Sequence, residues 1–433
     1  MYETIKRKFT QCFERVPQCL FSAPGRTELG GNHTDHQHGL VLAGAVNLDT
    51  RAAVAANGSG QIRVQSEGYP LCVVPLDGLA PRAEETATTA ALVRGVAARV
   101  AALGGTPCGF DAYVESDVLP GSGLSSSAAF EVLMAAICNR LFLDGKLSPV
   151  QLAQVGQYAE NVYFGKPCGL MDQTASAVGG IIAIDFADPA APVVTPVPFD
   201  FAACGHALCI IDSGADHADL TAEYAAIPAE LKTVCEFFGK EYLRDVSEDE
   251  FYQKLPGLRR YAGDRAVLRA IHVFDDNRRV RRQVKALQEN RFEDFLHEVR
   301  ASGVSSWQYL QNVIPTGAVR GQALAFALSQ AERLLNAVSD HNAEWSFLMG
   351  NVCYRRGWLD EAKRYFETAC RMDPENPEYR QALAAFNNRG YRPQGYQTVS
   401  TSCGNDVCSN WCLAALCCNL LGGGGYFCLP CMF

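Results

Sequence analysis

The stretch PGSGLSSSAA at Pro120–Ala129 is the most informative part of this sequence of 433 residues. It follows an alternating, strand-like segment and opens an apolar segment with helical spacing, Ser125–Leu143. Its glycines let the backbone approach a ligand closely, and its serines place hydroxyl and N–H groups at a helix N-terminus, where the dipole favours an anion. No Gly-Lys-Ser/Thr follows, so the stretch is not a Walker A loop. It predicts either a phosphate-binding loop or a serine-rich N-cap on a core helix.

A second polar loop, APGRTELGGNHTDH, lies near the N-terminus at Ala23–His36. Its polar side chains, with one just beyond it, include Arg26, Asn32, His33, Asp35, His36 and His38. Such a loop can present a cation to a phosphate and a set of hydrogen-bonding groups to neighbouring hydroxyls. The three histidines also suggest a metal, but their spacing suits a closed zinc site poorly and no Cys or Glu adjoins them. We therefore expect no metal on these histidines.

A third candidate combines QYAEN, which contains Glu160, with CGLMDQ at Cys168–Gln173. We expect Glu160 on a helix and Asp172 just after a glycine turn. A carboxylate at such a turn can act as a general base or orient a hydroxyl nucleophile. Asp172 can equally be the N-cap of a helix over Gln173–Val178, and the residue alone does not decide between these roles.

Composition limits the class of protein. The length favours two or three domains, and hydrophobic residues at 48% with charged residues at 20% are ordinary for a globular chain. A net charge of −9 argues against non-specific nucleic-acid binding, which needs a basic face. The first twenty residues lack the apolar core of a signal peptide, and no run of 18 apolar residues predicts a transmembrane helix. We expect a cytoplasmic protein whose scattered cysteines are reduced.

The three motifs, in their order along the chain, resemble those of the galactokinase branch of the GHMP small-molecule kinase superfamily. A later segment, Asp212–Tyr224, resembles the family's sugar-contacting tyrosine segment. The resemblance covers about residues 1–335. It implies an α+β, two-lobed GHMP-kinase-like fold. An N-terminal α/β lobe of the ribosomal-S5 type would span residues 1–180, and a C-terminal α+β lobe would span 181–338.

The resemblance implies transfer of the ATP γ-phosphoryl group to the C1 hydroxyl of galactose. Asp172 would act as base, Arg26 would stabilise charge, and Ser127 with Glu160 would hold Mg²⁺. The implied nucleotide-binding residues are Gly121, Ser122, Gly123, Leu124, Ser125, Ser126 and Ser127. The implied sugar-binding residues are Asn32, His33, Thr34, Asp35 and Tyr224.

Two departures from the family bear on activity. Most members have Glu where this chain has Asn32, which removes a charge and leaves kinases for other small sugars as an alternative. The family's third Gly-rich motif and the strand after it should follow a helix like 321–335, and we find neither there. We expect Gly422–Gly425 to be no substitute, with no matching strand. The C-terminal lobe would then be incomplete, with an exposed sheet edge and impaired activity, and an inactive scaffold is the alternative.

The remainder of the chain differs in character. Residues 339–390 predict a helical hairpin, in which 343–376 resemble one tetratricopeptide repeat and Pro377–Phe386 a capping helix; such a module would bind a protein partner. Residues 391–433 form a Cys/Gly-rich tail with seven of the 18 cysteines, for which we expect no regular structure. Zinc binding and acylation are weaker alternatives. Repeat and tail together resemble the C-terminus of some bacterial J-domain cochaperones.

Overall fold

The computed structural model describes residues 2–119, 121–204, 207–215, 221–337, 343–355, 359–387 and 425–431. The chain divides into two compact units. The first comprises Met1–Ala325 with Gly422–Met432, and the second comprises Phe326–Leu421 with Phe433. The first unit therefore takes in residues from both ends of the sequence, whereas we expected the segment 391–433 to form a separate tail.

A seven-stranded sheet forms the frame of the N-terminal lobe and extends to residue 196, past residue 180 where we expected this lobe to end, because the strand Leu40–Ala56 pairs with the strand Ile181–Asp185. Its strands are β1 (Cys19–Gly30), β2 (Leu40–Ala56), β3 (Gln61–Ser66), β4 (Cys72–Pro75), β5 (Phe110–Ser116), β6 (Ile181–Asp185) and β7 (Val193–Pro196). They follow the order β4-β3-β5-β2-β6-β7, and β1 pairs with β2. All pairs are antiparallel except β3 with β5. The long strand β2 pairs with β5 through its second half and with β6 through its first, so it connects the two halves of the sheet.

Five helices pack in the same lobe. They are α1 (Tyr2–Phe13), α2 (Thr89–Ala102), α3 (Ser126–Leu143), α4 (Pro149–Tyr158) and α5 (Met171–Val178). Helix α3 is apolar on nearly every side because it lies in the main core with the sheet. It is the one helix among the described residues that is long and apolar enough to cross a membrane, but 67% of it is buried inside the protein. Burial in the core accounts for its apolar composition.

The C-terminal lobe is mainly helical. Its elements are β8 (Ala207–Ala215), α6 (Thr221–Phe237), α7 (Glu248–Gln253), α8 (Leu255–Ala262), α9 (Asp264–Gln288), α10 (Phe292–Ser305) and α11 (Ala323–Ala337), of which α11 extends into the second unit. A helix break near Pro256-Gly257 is expected from the sequence and is confirmed: α7 ends and α8 begins at Lys254, and Pro256 lies in the first turn of α8, where its missing N–H costs nothing. A second break, between α8 and α9, comes at Gly263, whose φ of +83° suits glycine.

The end of the chain supplies a strand to this lobe. Strand β9 (Gly425–Cys431) pairs antiparallel with β8. The prediction that no strand follows Gly422–Gly425 is therefore wrong, and so is the prediction that the lobe lacks a second strand there. The physical reason is that β8 presents unpaired backbone groups, which an apolar segment from any distance along the chain can satisfy. The remaining tail predictions fall on 391–424, which lie outside the described residues.

The second unit contains the helices α12 (Ala343–Arg355), α13 (Leu359–Met372) and α14 (Pro377–Asn387). The predicted helical hairpin and the helix after it are confirmed. Their core includes Phe347, Phe366 and Tyr379, which are buried together. A Cβ at Gly350 would lie 2.6 Å from the Phe366 ring, so glycine lets α12 and α13 approach closely.

Candidate active site

An ion pair between Arg26 and Asp172 joins strand β1 to helix α5. Arg26 Nε donates to Asp172 Oδ1 at 2.7 Å and Nη2 donates to Oδ2 at 2.5 Å, which is the bidentate geometry of a strong charged pair. Asp172 is not the N-cap of α5, because Leu170 occupies that position and Asp172 lies in the first turn. Its carboxylate is therefore available to the pair, which is consistent with the role that the sequence resemblance implies.

The surroundings of Asp172 keep it ionised. Burial acts to raise its pKa, but the charge of Arg26 and hydrogen bonds from Arg26 and Ser125 outweigh burial and lower the pKa below its ordinary value. The side chains are 14% and 28% exposed for Arg26 and Asp172, so the pair still faces solvent on one side. A ligand can reach a carboxylate that is anionic at neutral pH.

The loop before α3 is built around this pair. Gly121 and Gly123 have φ values of +75° and +73°, a region that favours glycine. The Gly123 carbonyl accepts a hydrogen bond from Arg26 Nη1 at 2.6 Å, and the Leu124 carbonyl accepts one from the Arg26 N–H at 3.0 Å. A Cβ at Gly25 would lie 3.1 Å from that Leu124 carbonyl, so glycine at position 25 lets β1 lie against the loop.

Ser125 shows that the loop is more than a helix cap. It occupies the N-cap position of α3 with φ +56°, yet its side chain caps nothing. Its hydroxyl instead donates to Asp172 Oδ2 at 2.8 Å. A left-handed conformation costs a non-glycine residue about 1 kcal/mol or more, a cost typical of functional sites. The simple N-cap interpretation of the serines does not hold at this residue.

A second, acidic cluster lies beside the loop. Glu160 lies in a π-helical turn after α4 and accepts hydrogen bonds from Ser127 Oγ at 3.3 Å and Lys166 Nζ at 3.1 Å. The Nε2 of Gln173 donates to Glu160 Oε2 at 2.9 Å and to Glu131 Oε2 at 3.0 Å. The structure thus brings together Ser127 and Glu160, as expected, and adds Glu131 and Gln173.

The acidic cluster fits a hard divalent cation such as Mg²⁺. The Oε1 atoms of Glu131 and Gln173 are buried without a hydrogen-bond partner within the described part of the chain. Burial, together with the charge of Glu160, raises the pKa of Glu131 to about 8. No group of three or more His, Cys, Asp and Glu residues among those described could form a complete metal cage. A cation that keeps water and phosphate ligands needs only a few protein oxygens, which this cluster supplies.

Two of the five predicted sugar-binding residues are engaged inside the protein. The Thr34 hydroxyl is buried and bonds to the carbonyls of Gly31 at 2.7 Å and Leu40 at 2.6 Å. The Asn32 side chain donates to Ser306 Oγ at 2.7 Å, and its backbone N–H donates to Asp276 Oδ2 at 2.9 Å. Both residues hold the loop in shape, so neither offers its side chain freely to a ligand.

The other three predicted sugar-binding residues lie together. The rings of His33 and Tyr224 have centroids 5.1 Å apart, and His36 Nε2 lies 2.9 Å from the Tyr224 hydroxyl. Burial lowers the pKa of His33 to about 3, so its ring is neutral, and its Nδ1 has no hydrogen-bond partner among the residues described. Burial also raises the pKa of Asp35. A Cβ at Gly169 would lie 2.3 Å from Asp35 Oδ2, so glycine lets Asp35 approach the segment that leads into α5.

Helix α9 contacts the loop that holds Asn32, although about 240 residues separate the two in the sequence. His272 Nε2 lies 3.0 Å from the Asn32 carbonyl, and Asp276 accepts from Asn32 as described above. Gln283 Nε2 donates to the Leu29 carbonyl at 3.1 Å. These residues carry no local sequence signal. Glu131, by contrast, lies four positions after Ser127, so a glutamate on the same face of an apolar helix was a detectable signal.

Two family models match the chain. The model for the GHMP kinases N terminal domain matches residues 91–180, and the galactokinase galactose-binding signature matches residues 7–56. Among curated proteins, galactokinase from Streptomyces coelicolor is 35% identical over 292 residues, which cover 66% of this chain and 73% of that protein. The galactokinase of Glaesserella parasuis is 33% identical over 298 residues, covering 66% and 74%. The chain belongs to the galactokinase family.

The fold agrees with this assignment. The crystal structure of Lactococcus lactis galactokinase complexed with galactose superimposes with a TM-score of 0.63 and 22% identity, covering 73% of this chain and 81% of that one. The GHMP-kinase-like α+β fold is therefore confirmed, and the chain is a sugar kinase. Both family models end by residue 180, so they give no support to the resemblance of the helical region and tail to tetratricopeptide repeats and cochaperones.

Proposed function

We propose that this galactokinase family member transfers the γ-phosphoryl group of ATP to the C1 hydroxyl of galactose at the Arg26–Asp172 pair. The observation that carries the proposal is the bidentate pair itself, held by Ser125 and by the carbonyl of Gly123. The pair combines an ionised carboxylate with a cation next to a loop suited to phosphate. Curated relatives named galactokinase and the match to the galactose-binding signature support galactose as the acceptor.

Asp172 receives or orients the proton of the attacking hydroxyl. Its lowered pKa keeps it ionised at neutral pH, so it can accept a hydrogen bond from the C1 hydroxyl before transfer. The same low pKa makes it a weak base, which suits a loose phosphoryl-transfer transition state in which the proton moves late. Arg26 has a fixed positive charge in contact with Asp172, and stabilises negative charge on the transferred group.

The nucleotide phosphates bind at the loop from Gly121 to Ser127. The N-terminus of α3 points N–H groups of the first turn toward this loop, and the helix dipole favours the phosphate charge. Ser127 and Glu160, with Glu131 beside them, would hold Mg²⁺. The bound ion would neutralise phosphate charge. Lys166, which bonds Glu160, adds a further positive charge at this edge.

The acceptor sugar lies against His33, Asp35 and Tyr224. The neutral imidazole and the carboxyl offer both acceptors and donors to hydroxyls. Asn32 and Thr34 support the loop from within, so the loss of the family's Glu at position 32 changes the packing of the loop onto Ser306. A different small sugar as acceptor is the second candidate, and this substitution is the observation that favours it.

A coupled ADP-release assay on the full chain tests the proposal. Mg²⁺-ATP is supplied with galactose, glucose, galactosamine or mevalonate. We expect ADP release with galactose well above the other acceptors. If the folded protein binds ATP but releases no ADP with any acceptor, the proposal is wrong and the scaffold alternative is favoured. If another sugar exceeds galactose, the reaction class stands and the acceptor assignment is wrong.

Further features of the chain stay predictions. A cytoplasmic location fits an enzyme that consumes ATP. A protein partner for the helices α12 to α14 follows from the single-repeat resemblance, since one repeat needs a neighbour to cover its apolar face.

A further inference from the structure

Glu28 lies on the same side of strand β1 as Arg26. Residues 26 to 28 pair with Ala45, Gly44 and Ala43 of β2 in continuous register, with irregularities only before and after this stretch. Side chains alternate along a strand, and here Gly25 and Thr27 are buried while Arg26 and Glu28 are partly accessible. Two strand positions separate their Cα atoms by about 7 Å. Glu28 is therefore the next side chain along β1 from the residue that contacts Asp172.

The direction of β1 places Glu28 toward the acceptor side. The start of this stretch, at Gly25 and Arg26, contacts the phosphate-binding loop through the carbonyls of Leu124 and Gly123. The strand then runs through Glu28 to Gly30 and into the loop that holds His33 and Asp35. Glu28 therefore lies between the phosphate-binding loop at one end of this stretch and the loop of His33 and Asp35 at the other.

The carboxyl of Glu28 has no partner within the protein. Its oxygens form no hydrogen bond or ion pair with another described residue, and the one side-chain hydrogen bond to Glu28, from Thr27 Oγ1, reaches its backbone carbonyl. Burial raises its pKa to about 8, although the side chain keeps an accessible edge, as expected in a recess. The charged groups that act on it are Asp35, Arg26, Asp276 and Asp172. A partly accessible carboxyl without a partner in the described part of the protein can hydrogen-bond a hydroxyl of a ligand.

We propose that Glu28 is an acceptor-binding residue that hydrogen-bonds a ring hydroxyl of the sugar other than the one at C1. The inference rests on the proposed function of the Arg26–Asp172 pair. The proposed role of Glu28 also narrows the class of sugar that can act as acceptor. Glu28, Asp35 and Asp172 surround the acceptor with carboxyl groups, and Arg26 is already paired, so the recess favours uncharged sugars over acidic ones such as uronic acids.

Deoxy sugars identify the contact. The kcat and KM of the wild type and Glu28→Gln are measured with galactose and with its 2-, 3-, 4- and 6-deoxy derivatives. We expect Glu28→Gln to lower kcat/KM for galactose about tenfold, mainly through KM, because a hydrogen bond to a charged or strongly polar group is weakened. With the one deoxy sugar that lacks the contacted hydroxyl, wild type and variant should differ less than twofold.

Two results would overturn the proposal. One is an unchanged kcat/KM for galactose in the variant. The other is an equal loss with galactose and with every deoxy sugar, which indicates a structural role. Galacturonate adds an independent arm at pH 9, where Glu28 is ionised: Glu28→Gln should improve its use relative to galactose at this pH, and no improvement contradicts the assigned substrate class.

Three controls distinguish a failure of the Glu28 role from a folding defect and from a failure of the proposed function. Glu293→Gln, an exposed glutamate at the start of α10, should leave all constants unchanged. Melting temperature and ATP affinity report folding, and Glu28→Asp replaces Glu28→Gln if the latter does not fold. If the wild type releases no ADP with galactose, the proposed function fails. Calorimetric titration of the same sugars into wild type and variant then decides the role of Glu28, and equal affinities would reject it.

Discussion

Asp172 and Glu131 are both carboxyl groups enclosed by the N-terminal lobe, but their pKa values move in opposite directions. Burial acts to raise both. Asp172 has a guanidinium and a hydroxyl as donors, and its pKa falls. Glu131 has one amide donor and a second carboxylate, Glu160, nearby, and its pKa rises to about 8. The partner, rather than burial, decides the sign of the shift.

This difference matches the two roles proposed above for these regions. The Asp172 region is complete within the protein: its anion already has its cation. In the Glu131 region, Glu160 is paired with Lys166, but Glu131 has no cation of its own, and the Oε1 atoms of Glu131 and Gln173 are buried without partners among the described residues, which supports the bound cation proposed above. The following predictions test whether the two regions differ in this way.

Asp172→Asn should have the largest effect. We expect kcat for galactose to fall about 10³-fold, because an amide cannot accept the hydroxyl proton and no longer neutralises Arg26. ATP affinity, followed by intrinsic fluorescence, should change little because the loop carbonyls still hold Arg26. A kcat within tenfold of the wild type would show that Asp172 is not the group that receives or orients the proton.

Arg26→Ala should come next, with a loss of about 10²-fold in kcat. Arg26 holds the pKa of Asp172 down, so its removal lets burial raise that pKa. Activity requires the ionised carboxylate, and the acidic limb of the pH–rate profile should therefore move to higher pH. Arg26→Lys keeps the charge but not the bidentate geometry and should shift the limb less. An unmoved limb in the alanine variant would contradict the assigned pairing.

Gln173→Leu tests the other region. Gln173 bridges Glu160 and Glu131, so its loss should release both carboxylates to repel each other. We expect the Mg²⁺ concentration for half-maximal activity to rise roughly tenfold, as for other residues that orient a metal ligand. Binding of Mn²⁺, followed by electron paramagnetic resonance, should weaken in parallel. Gln288→Leu, at an exposed position, is the matched control. Unchanged metal binding in Gln173→Leu would remove the case for a cation at this cluster.

The sequence predicts the Asp172 region well because its parts are local motifs. The glycines in the loop at Pro120–Ala129 and around Arg26 predict sharp turns. They also predict a close approach of the backbone to a ligand, as phosphate binding requires. Strands such as β2 and β6 follow from β-branched and apolar runs between turn residues. These features depend on neighbours along the chain, and the structure brings Arg26, Asp172 and the loop before α3 into contact.

The Glu131 region and the support of the loop are less predictable. The position of Glu131 four residues after Ser127 is a detectable signal, but it does not identify the partner of Glu131, because Gln173 lies 42 positions further along the chain. Asp276 and His272 contact Asn32 across about 240 positions, and β9 reaches β8 from the far end of the chain. No periodicity relates residues so distant, and their pairing follows from the unsatisfied groups that folding brings together.

The smallest effect should come from Glu28→Gln on the pH dependence of stability. The pKa of Glu28 is about 8 in the folded protein against 4.5 ordinarily, so the native state binds more protons than the unfolded state between these values. The contribution of this group is therefore complete below pH 4.5 and is lost as pH rises through 8. A glutamine does not ionise, so the variant should lose less stability on the alkaline side and melt a few degrees higher than the wild type at pH 8.5. Melting temperatures between pH 6 and 9 measure this difference. If the melting temperatures of wild type and variant change with pH in parallel, Glu28 titrates normally and is not enclosed together with Asp35 and Asp172. The Glu131 region would then be the only one of the two with a carboxyl that lacks a partner among the described residues.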